Sequence, residues 1–490
     1  MKLLNLKSLV FLGLSASSNH LFHANADDLD DAILRQMDDE HVLGASVAYF
    51  NKEFMTEPII RSYGKTSTTS GAKNVTNDTV FMIASVSKVF AGAAVLKLVS
   101  QKVITLDDDI CDVLPGDYNP TACRNPNFPN IPVTWRMLVT HQSSLMEGIP
   151  DINNMSPNYG PNGAYSGLAV GNPSCPLSDV VGFYRDIMIN KDTETTVGAG
   201  FSANFNWNDA VNGTVWEDYE PGTVTSYSNF AIGYIAALVE HVTGKTFPAY
   251  CKEFIFDPLG MTNTAWFRKD LPSGVLETMP IDYLGKGQNI TLPDNSTMPP
   301  GDQYADMEHY CFIDYASGSL RTTAKDLALY LDAMLTYGAP KLWTEEEGIS
   351  GVTCAEKDAT FNECEYGITW ELLKKLFSVD WLAEPARRFN WEHAIAHAGF
   401  EAGSQTQVIV FPKSGIYALV LTNTNGNDDD AAQDIMVDLL NTAIDIVNPP
   451  KSSTQPPSSA GTRATGNGVI MFILFCMTVV PFFAGASEKK

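Results

Sequence analysis

Ser85 and Lys88 have the residue types and the spacing of a nucleophile and its base. They stand where a polar segment gives way to an apolar run over residues 89–96, so the sequence predicts a helix that starts at the serine. Residues three apart lie on one face of a helix, and the Lys88 amine could therefore take the proton of the Ser85 hydroxyl. A helix N-terminus also offers unpaired backbone N–H groups and a positive dipole end to an acyl oxyanion. This pattern indicates a serine acyl-enzyme.

Ser-x-x-Lys occurs four times in the chain, and the surroundings of each copy decide which one could be catalytic. Ser62 lies in a strand-like stretch, Ser70 lies in a Ser/Thr/Gly loop, and Ser487 is at the chain end. Only Ser85 opens a predicted helix. On the motif alone a structural interpretation stays open, in which Ser85 is an N-cap and Lys88 a solvated lysine.

Further segments follow the Ser85 motif in a fixed order. They are residues 106–109, 133–145, 227–229, 242–244, 258–261, 397–399 and 421–423. Together with residues 79–88 they resemble the serine β-lactamase superfamily, in the branch of class C β-lactamases and penicillin-binding proteins. The resemblance extends over about residues 44–447. It implies the fold of that family and a serine hydrolase activity that uses no metal or cofactor.

The resemblance also assigns roles to the second motif, Tyr227-Ser228-Asn229. Tyr227 would be the partner base that moves the proton between Ser85 and the leaving group, and Asn229 would orient the substrate amide or Lys88. A tyrosine hydroxyl close to an ammonium is stabilised as phenolate, as a base at neutral pH requires. A second Tyr-x-Asn copy begins at Tyr49, at the end of a predicted strand ahead of the nucleophile.

The third motif, His397-Ala398-Gly399, differs from the Lys-Thr-Gly of the family's antibiotic-hydrolysing members. Histidine, with a reference pKa near 6.5, is mostly neutral at pH 7 and gives a substrate carboxylate no permanent positive charge. The motif argues against β-lactams as the physiological substrate and looks more like the family's esterases, peptidases and D-amino-acid amidases. By resemblance, His397 and Gly399 line the substrate site, and the backbone N–H groups of Phe400 and Ser85 form the oxyanion hole.

The order of apolar patterns predicts an α/β (α+β) fold. Strand-like alternation occurs at residues 43–51, 58–63, 394–398, 405–411 and 416–423, followed by an amphipathic helix that reaches residue 447. An antiparallel sheet would therefore be built from both chain ends and flanked by helices. Residues 90–321 read as a large, mainly helical inserted subdomain, broken by a loop-rich region at residues 149–222.

The two ends of the chain read as targeting segments. Residues 1–26 resemble a signal peptide, residues 27–448 form the predicted hydrolase domain, and residues 449–467 form a Ser/Thr/Pro/Gly stalk. Residues 468–486 are almost wholly apolar, which fits either a transmembrane helix or a lipid-anchor signal. Both alternatives place the hydrolase domain in the secretory pathway, on the extracellular or lumenal side of a membrane.

Cysteines and glycosylation sequons agree with that compartment. Close spacing predicts the disulfides Cys111–Cys123 and Cys354–Cys364, and leaves one of Cys175, Cys251 and Cys311 without a partner among them. The sequons are at Asn74, Asn77, Asn154, Asn212, Asn289 and Asn295.

The net charge and the candidate site residues together limit the classes of function that the chain could have. The formal net charge of −25 argues against nucleic acid and against docking on anionic membranes. The sequence predicts a serine hydrolase that acylates Ser85 from a small-molecule or peptide substrate, an ester or an amide. A transacylase and a non-catalytic binding protein on the same fold are the alternatives.

Overall fold

The computed structural model describes most of the predicted hydrolase domain. The described residues are 28–114, 123–146, 216–284, 290–291, 297–298, 303–306, 309–310, 314–339, 341–343, 366–372, 394–426 and 430–447. The predicted signal peptide (1–26), stalk (449–467) and apolar segment (468–486) lie outside these residues and stay predictions. None of the helices in the described ranges is long and apolar enough to cross a membrane.

Twelve strands occur in the described part of the chain. In chain order they are β1 (Gly44–Asn51), β2 (Ile59–Gly64), β3 (Val80–Met82), β4 (Ile281–Leu284), β5 (Ile290–Thr291), β6 (Thr297–Met298), β7 (Gln303–Asp306), β8 (Arg321–Thr323), β9 (Glu371–Leu372), β10 (Ile395–Glu401), β11 (Ser404–Phe411) and β12 (Ile416–Thr422). Six of them form the central sheet in the order β2-β1-β12-β11-β10-β9. Every neighbouring pair is antiparallel.

Strands from both chain ends meet at the centre of this sheet. Val47 of β1 pairs with Val420 of β12, and Tyr49 pairs with Ala418. The predicted antiparallel sheet built from both ends of the chain is thus confirmed. The alternation of apolar residues made these strands visible in the sequence because successive side chains point to opposite faces.

The described helices flank the sheet. They are α1 (residues 28–39), α2 (Lys88–Ser100), α3 (Ile110–Val113), α4 (Trp135–Val139), α5 (Asn229–Thr243), α6 (Phe247–Cys251), α7 (Asp257–Leu259), α8 (Ala324–Met334) and α9 (Ala431–Val447). The ends of α5 show why the chain is helical there. Ser228 Oγ accepts the Ala231 N–H at 2.9 Å, and Gly244 ends the helix in the left-handed region at φ 65°.

Each face of the sheet is covered by a different core. On the first face, which we call the aliphatic face, Val47 and Ile409 pack with Ile33 of α1 and Leu439 of α9. On the opposite face, which we call the site face, alternate residues such as Val408 pack with α2, α5 and α8. Because side chains alternate along a strand, β1, β10, β11 and β12 each supply both cores.

The inserted region departs in part from its predicted, mainly helical character. Helices α2 to α7 lie between residues 88 and 259, but β4 pairs with β7, and β5 with β6, between residues 281 and 306. These strands have two to four residues each, too few for period-two alternation to stand out.

The cysteines of the described residues agree with the predicted pairing. A disulfide joins Cys111 and Cys123, as predicted, and Cys251 is free and buried. The remaining predicted bridge, Cys354–Cys364, lies outside the described residues. Of the sequon asparagines, Asn74 and Asn77 are exposed, and the other four also lie outside the described residues.

Candidate active site

Ser85 lies in a 3₁₀ turn and not at the start of an α-helix. The turn covers Ala84–Ser87, and α2 begins at Lys88. In a 3₁₀ helix the side chains at i and i+3 eclipse each other, because one turn contains three residues. Lys88 Nζ accordingly donates a hydrogen bond of 3.0 Å to Ser85 Oγ. The predicted contact between Lys88 and Ser85 is present, but it forms across a 3₁₀ turn and not across the first turn of an α-helix.

Lys88 is fully buried beneath the serine. Its ammonium donates a second hydrogen bond, of 2.7 Å, to the backbone carbonyl of Ser317. Ser317 Oγ in turn donates to the Asp314 carboxyl at 3.1 Å. The lysine is therefore held between the candidate nucleophile and a turn that leads into β8.

Gly399 allows strand β10 to approach the serine turn. A Cβ atom at this position would lie 2.6 Å from the Ile83 carbonyl oxygen and 3.1 Å from the Ser85 nitrogen. Only a residue without a side chain fits this approach. Ala84, just before the serine, has φ 46°, a conformation that is unfavourable for a residue with a Cβ. Phe400 is the next residue of β10, so its backbone comes directly after this close approach.

Tyr227 reaches the same place from the segment just before α5. The Tyr227 ring centroid lies 4.8 Å from Lys88 Nζ. Asn229 is the first residue of the helix and is half-buried. The other Tyr-x-Asn copy lies elsewhere, because Tyr49 is buried in the aliphatic face. The structure thus brings Ser85, Lys88 and Tyr227 together.

His397 lies on the same face of β10 as Gly399 and is only 1% exposed. Its Nδ1 donates to the Ala398 carbonyl at 2.6 Å, so the lone pair of the neutral ring is on Nε2. Burial, followed by the nearby charge of Lys88, lowers the pKa of His397 to about 3. This pKa lies below the reference value near 6.5, in the direction that favours the neutral ring predicted from the sequence. The ring stays neutral through the physiological pH range, and its neutrality does not depend on pH there.

Three carboxyl groups that sequence reasoning missed lie in electrostatic reach of Lys88. Burial raises the pKa of Asp314, and burial raises that of Glu371 to about 7 against the opposing effect of Lys88. Burial, and then the charge of Asp314, raise the pKa of Glu401 to about 8. No motif includes Asp314 or Glu371, and Glu401 directly follows the third motif and Phe400, which is the one local signal that could have indicated it. Glu371 and Glu401 therefore bring to the site two carboxyl groups with a pKa near neutral pH.

His141 is the other residue whose role the sequence did not reveal. It lies within residues 133–145, one of the segments that carry the family resemblance, but that segment assigns it no role. Its ring stacks on Tyr227 with centroids 4.6 Å apart. The site therefore combines a hydroxyl, an amine and a phenol with two buried imidazoles.

A family model and several curated relatives match the chain. The family model described as Beta-lactamase matches residues 29–171 and 195–442. The D-alanyl-D-alanine-carboxypeptidase/endopeptidase AmpH of Escherichia coli (strain K12) is 23% identical over 282 residues. That match covers 57% of this chain and 60% of AmpH, so the chain spans less than two thirds of that relative's length.

Solved structures match over more of the chain at lower identity. The D-amino acid amidase of Ochrobactrum anthropi SV3 superposes with a TM-score of 0.56 and 17% identity, covering 85% of this chain and 99% of the amidase. EstCE1, a hydrolase with promiscuous acyltransferase activity, superposes with a TM-score of 0.55 and 16% identity, covering 86% and 98%. At these identities the similarity is one of fold.

Proposed function

The chain belongs to the Beta-lactamase family, and on that premise we propose that it is a serine hydrolase that forms an acyl-enzyme on Ser85. The observation that carries the proposal is the 3.0 Å hydrogen bond between Lys88 Nζ and Ser85 Oγ, made in a buried site beside the Tyr227 ring. A nucleophile within hydrogen-bond reach of its base, with a third group beside them, is the geometry of covalent catalysis.

The acylation step assigns one role to each group. The Lys88 and Tyr227 pair takes the proton of Ser85, and the serine oxygen bonds to the carbonyl carbon of the ester or amide. The carbonyl oxygen becomes an oxyanion, which the backbone N–H groups of Ser85 and Phe400 stabilise. When the intermediate collapses, the bond to the leaving group breaks and Tyr227 returns the proton to that group. Water then attacks the acyl-serine by the same sequence of proton transfers.

Three residues of the candidate site support the proposed substrate class. His397 stands where family members that hydrolyse antibiotics carry a lysine, and it is neutral, so it offers a substrate carboxylate no charge. Asn229, at the first turn of α5, is proposed to orient the substrate amide, and Gly399 to let β10 lie alongside the substrate. We therefore assign small esters or amides of the esterase, peptidase or D-amino-acid amidase type.

A transacylase is the second candidate. It is favoured by the fold shared with EstCE1, a hydrolase with promiscuous acyltransferase activity. The acyl-enzyme is common to both functions, and only the acceptor, water or a second substrate, differs. Product analysis in the presence of added alcohols and amines separates them.

The proposal is tested by labelling the full-length chain with a fluorophosphonate probe and locating the adduct by peptide mass spectrometry. We expect label on Ser85 and none in Ser85→Ala. Ser62→Ala is the matched control, because Ser62 begins another Ser-x-x-Lys copy but lies in β2. Full labelling of Ser85→Ala would move the nucleophile elsewhere. A wild type with neither labelling nor turnover of any ester or amide would favour the non-catalytic binding protein.

The compartment is part of the same proposal. We assign the hydrolase domain to the lumenal or extracellular side, supported by the Cys111–Cys123 disulfide, a bond typical of oxidising compartments. Attachment to a membrane through residues 468–486 remains a prediction from the sequence. Carbonate extraction of membranes with and without phospholipase treatment tests it, since a transmembrane helix and a lipid anchor respond differently.

A further inference from the structure

His141 contacts three consecutive residues ahead of α5. Its carbonyl oxygen accepts the Ser226 N–H at 2.7 Å, its ring stacks on Tyr227 at a tilt of 31°, and its Nδ1 accepts the Ser228 N–H at 3.1 Å. The middle residue of the three is the proposed base. One side chain and its own carbonyl therefore fix the backbone on both sides of Tyr227 and the face of its ring.

The segment that carries His141 is itself held firmly. The Ser144 carbonyl accepts the Glu217 N–H and the Gln142 carbonyl accepts the Gly222 N–H, each at 2.8 Å, so residues 141–145 run beside residues 216–228. His141 has φ 59°, an unfavourable backbone conformation for a histidine. Such a conformation persists only where the surrounding contacts over-determine it.

The His141 ring also contacts a second tyrosine, and its surroundings determine its protonation state. Tyr366 meets the imidazole edge-on at 5.1 Å between centroids, so the ring lies between two tyrosines. A backbone N–H can only donate, so Nδ1 is the acceptor and the neutral ring carries its proton on Nε2. Burial, followed by the charge of Lys88, keeps the pKa of His141 well below its usual range. The ring is therefore neutral when Lys88 is charged, and the bond from Ser228 is retained.

Tyr227 needs such support because residues 224–228 have no regular secondary structure. Proton transfer requires the phenol oxygen to be within about 2.6–3.2 Å of its partner. A misplacement of about 1 Å can reduce a rate by roughly 10²-fold. We propose that His141 is a positioning residue that holds Tyr227 against Lys88 for proton transfer, an inference that rests on the proposed acyl-enzyme function.

Two substitutions separate the contacts that His141 makes. His141→Asn keeps an acceptor near the place of Nδ1 and suits a positive φ, but it removes the ring that stacks on Tyr227. His141→Phe keeps a ring but leaves the buried Ser228 N–H without its acceptor. We expect the asparagine variant to lose acylation rate, by about 10- to 100-fold, more than thermal stability. We expect the phenylalanine variant to lose thermal stability more than rate.

The deciding measurement is a double-mutant cycle on the second-order rate constant for probe acylation, with Tyr227→Phe as the second change. If His141 acts through Tyr227, then His141→Asn has little further effect once the phenol is gone. His241→Asn, at the other end of α5, is the matched control and should leave the rate unchanged.

Three results would overturn the inference. They are a folded His141→Asn variant that acylates at the wild-type rate, rate losses that multiply fully in the double variant, and parallel losses of rate and stability in both single variants. Each of these leaves the proposed function intact, since wild-type labelling on Ser85 is measured in the same experiment. A wild type that no probe labels would overturn the proposed function and this inference together.

Discussion

The two faces of the central sheet are built from the same strands but bury different chemistry. On the aliphatic face, Ile33, Ile409 and Leu439 represent a core of mainly hydrocarbon side chains, with the uncharged Gln407 and Thr422 also buried there. On the site face, Lys88 and His397 are buried beside an equally apolar core. Strand β10 shows the division within one element, because Ala396 packs on the aliphatic face and Ile395 on the site face.

Burial on the aliphatic face stabilises the fold, whereas burial of polar groups on the site face reduces that stability. Burying apolar area stabilises the protein by about 25 cal/mol per Å², whereas a buried amine or imidazole loses its hydration. The polar groups of the site face recover part of that loss through specific partners, such as the Ser317 carbonyl for Lys88. Substitutions on the two faces should therefore separate stability from catalysis.

The largest effect is expected from Lys88→Met. It removes the base, so we expect acylation of Ser85 to fall by roughly 10²–10⁴-fold. Since an apolar chain of similar length replaces a buried amine, the free energy of unfolding should be unchanged or higher. Probe acylation rates and urea unfolding measure the two quantities on the same samples. A rate close to that of the wild type would show that Lys88 is not the base.

The opposite result is expected from Leu439→Ala on the aliphatic face. Truncating this fully buried side chain leaves a cavity, and we expect a loss of about 2–5 kcal/mol in the free energy of unfolding. The acylation rate per folded molecule should stay at the wild-type value, because the site face keeps its contacts. Leu34→Ala, at an exposed position of α1, is the control and should change neither quantity. A lower rate in folded Leu439→Ala would mean that the two faces are coupled.

A smaller effect, on the pH dependence of stability, is expected from Glu401→Gln. The pKa of Glu401 is raised from 4.5 to about 8, so between these values the folded state holds a proton that the unfolded state has lost. Its contribution to stability is therefore complete below about pH 4.5 and is lost as the pH rises through about 8. The variant has no such group, and its Tm should rise relative to the wild type between pH 5 and pH 8. Exposed Glu53→Gln is the control, and equal Tm differences at both pH values for Glu401→Gln would contradict the assignment.

The parts of the fold that could be predicted are those with local sequence signals. Strands β1 and β10 to β12 alternate with period two, and the spacing of Ser85 and Lys88 places them on one face of any helix. The same spacing fits an α-helix and a 3₁₀ turn, so it could not reveal that α2 begins only at Lys88.

The rest of the site depends on contacts between residues that are distant in sequence. The bond from Ser228 to His141 spans 87 positions, and that from Lys88 to Ser317 spans 229. No local pattern encodes such pairs. Family resemblance supplied Tyr227 and His397, but the low pKa of His397 comes from burial and from Lys88, which only the assembled structure brings beside it.

The joining of the two chain ends in one sheet has a consequence for synthesis. Leu43, just before β1, donates to Thr424, which lies 381 positions later. At about 5–20 residues per second, a ribosome needs roughly 20–75 s between these two residues. During that interval β1 has no β12 to pair with, and the serine turn is made before β10, the strand that it faces, exists. Contacts of such long sequence separation form slowly, so for most of its translation the nascent chain carries an apolar strand with one edge unpaired, and it is most exposed to aggregation then.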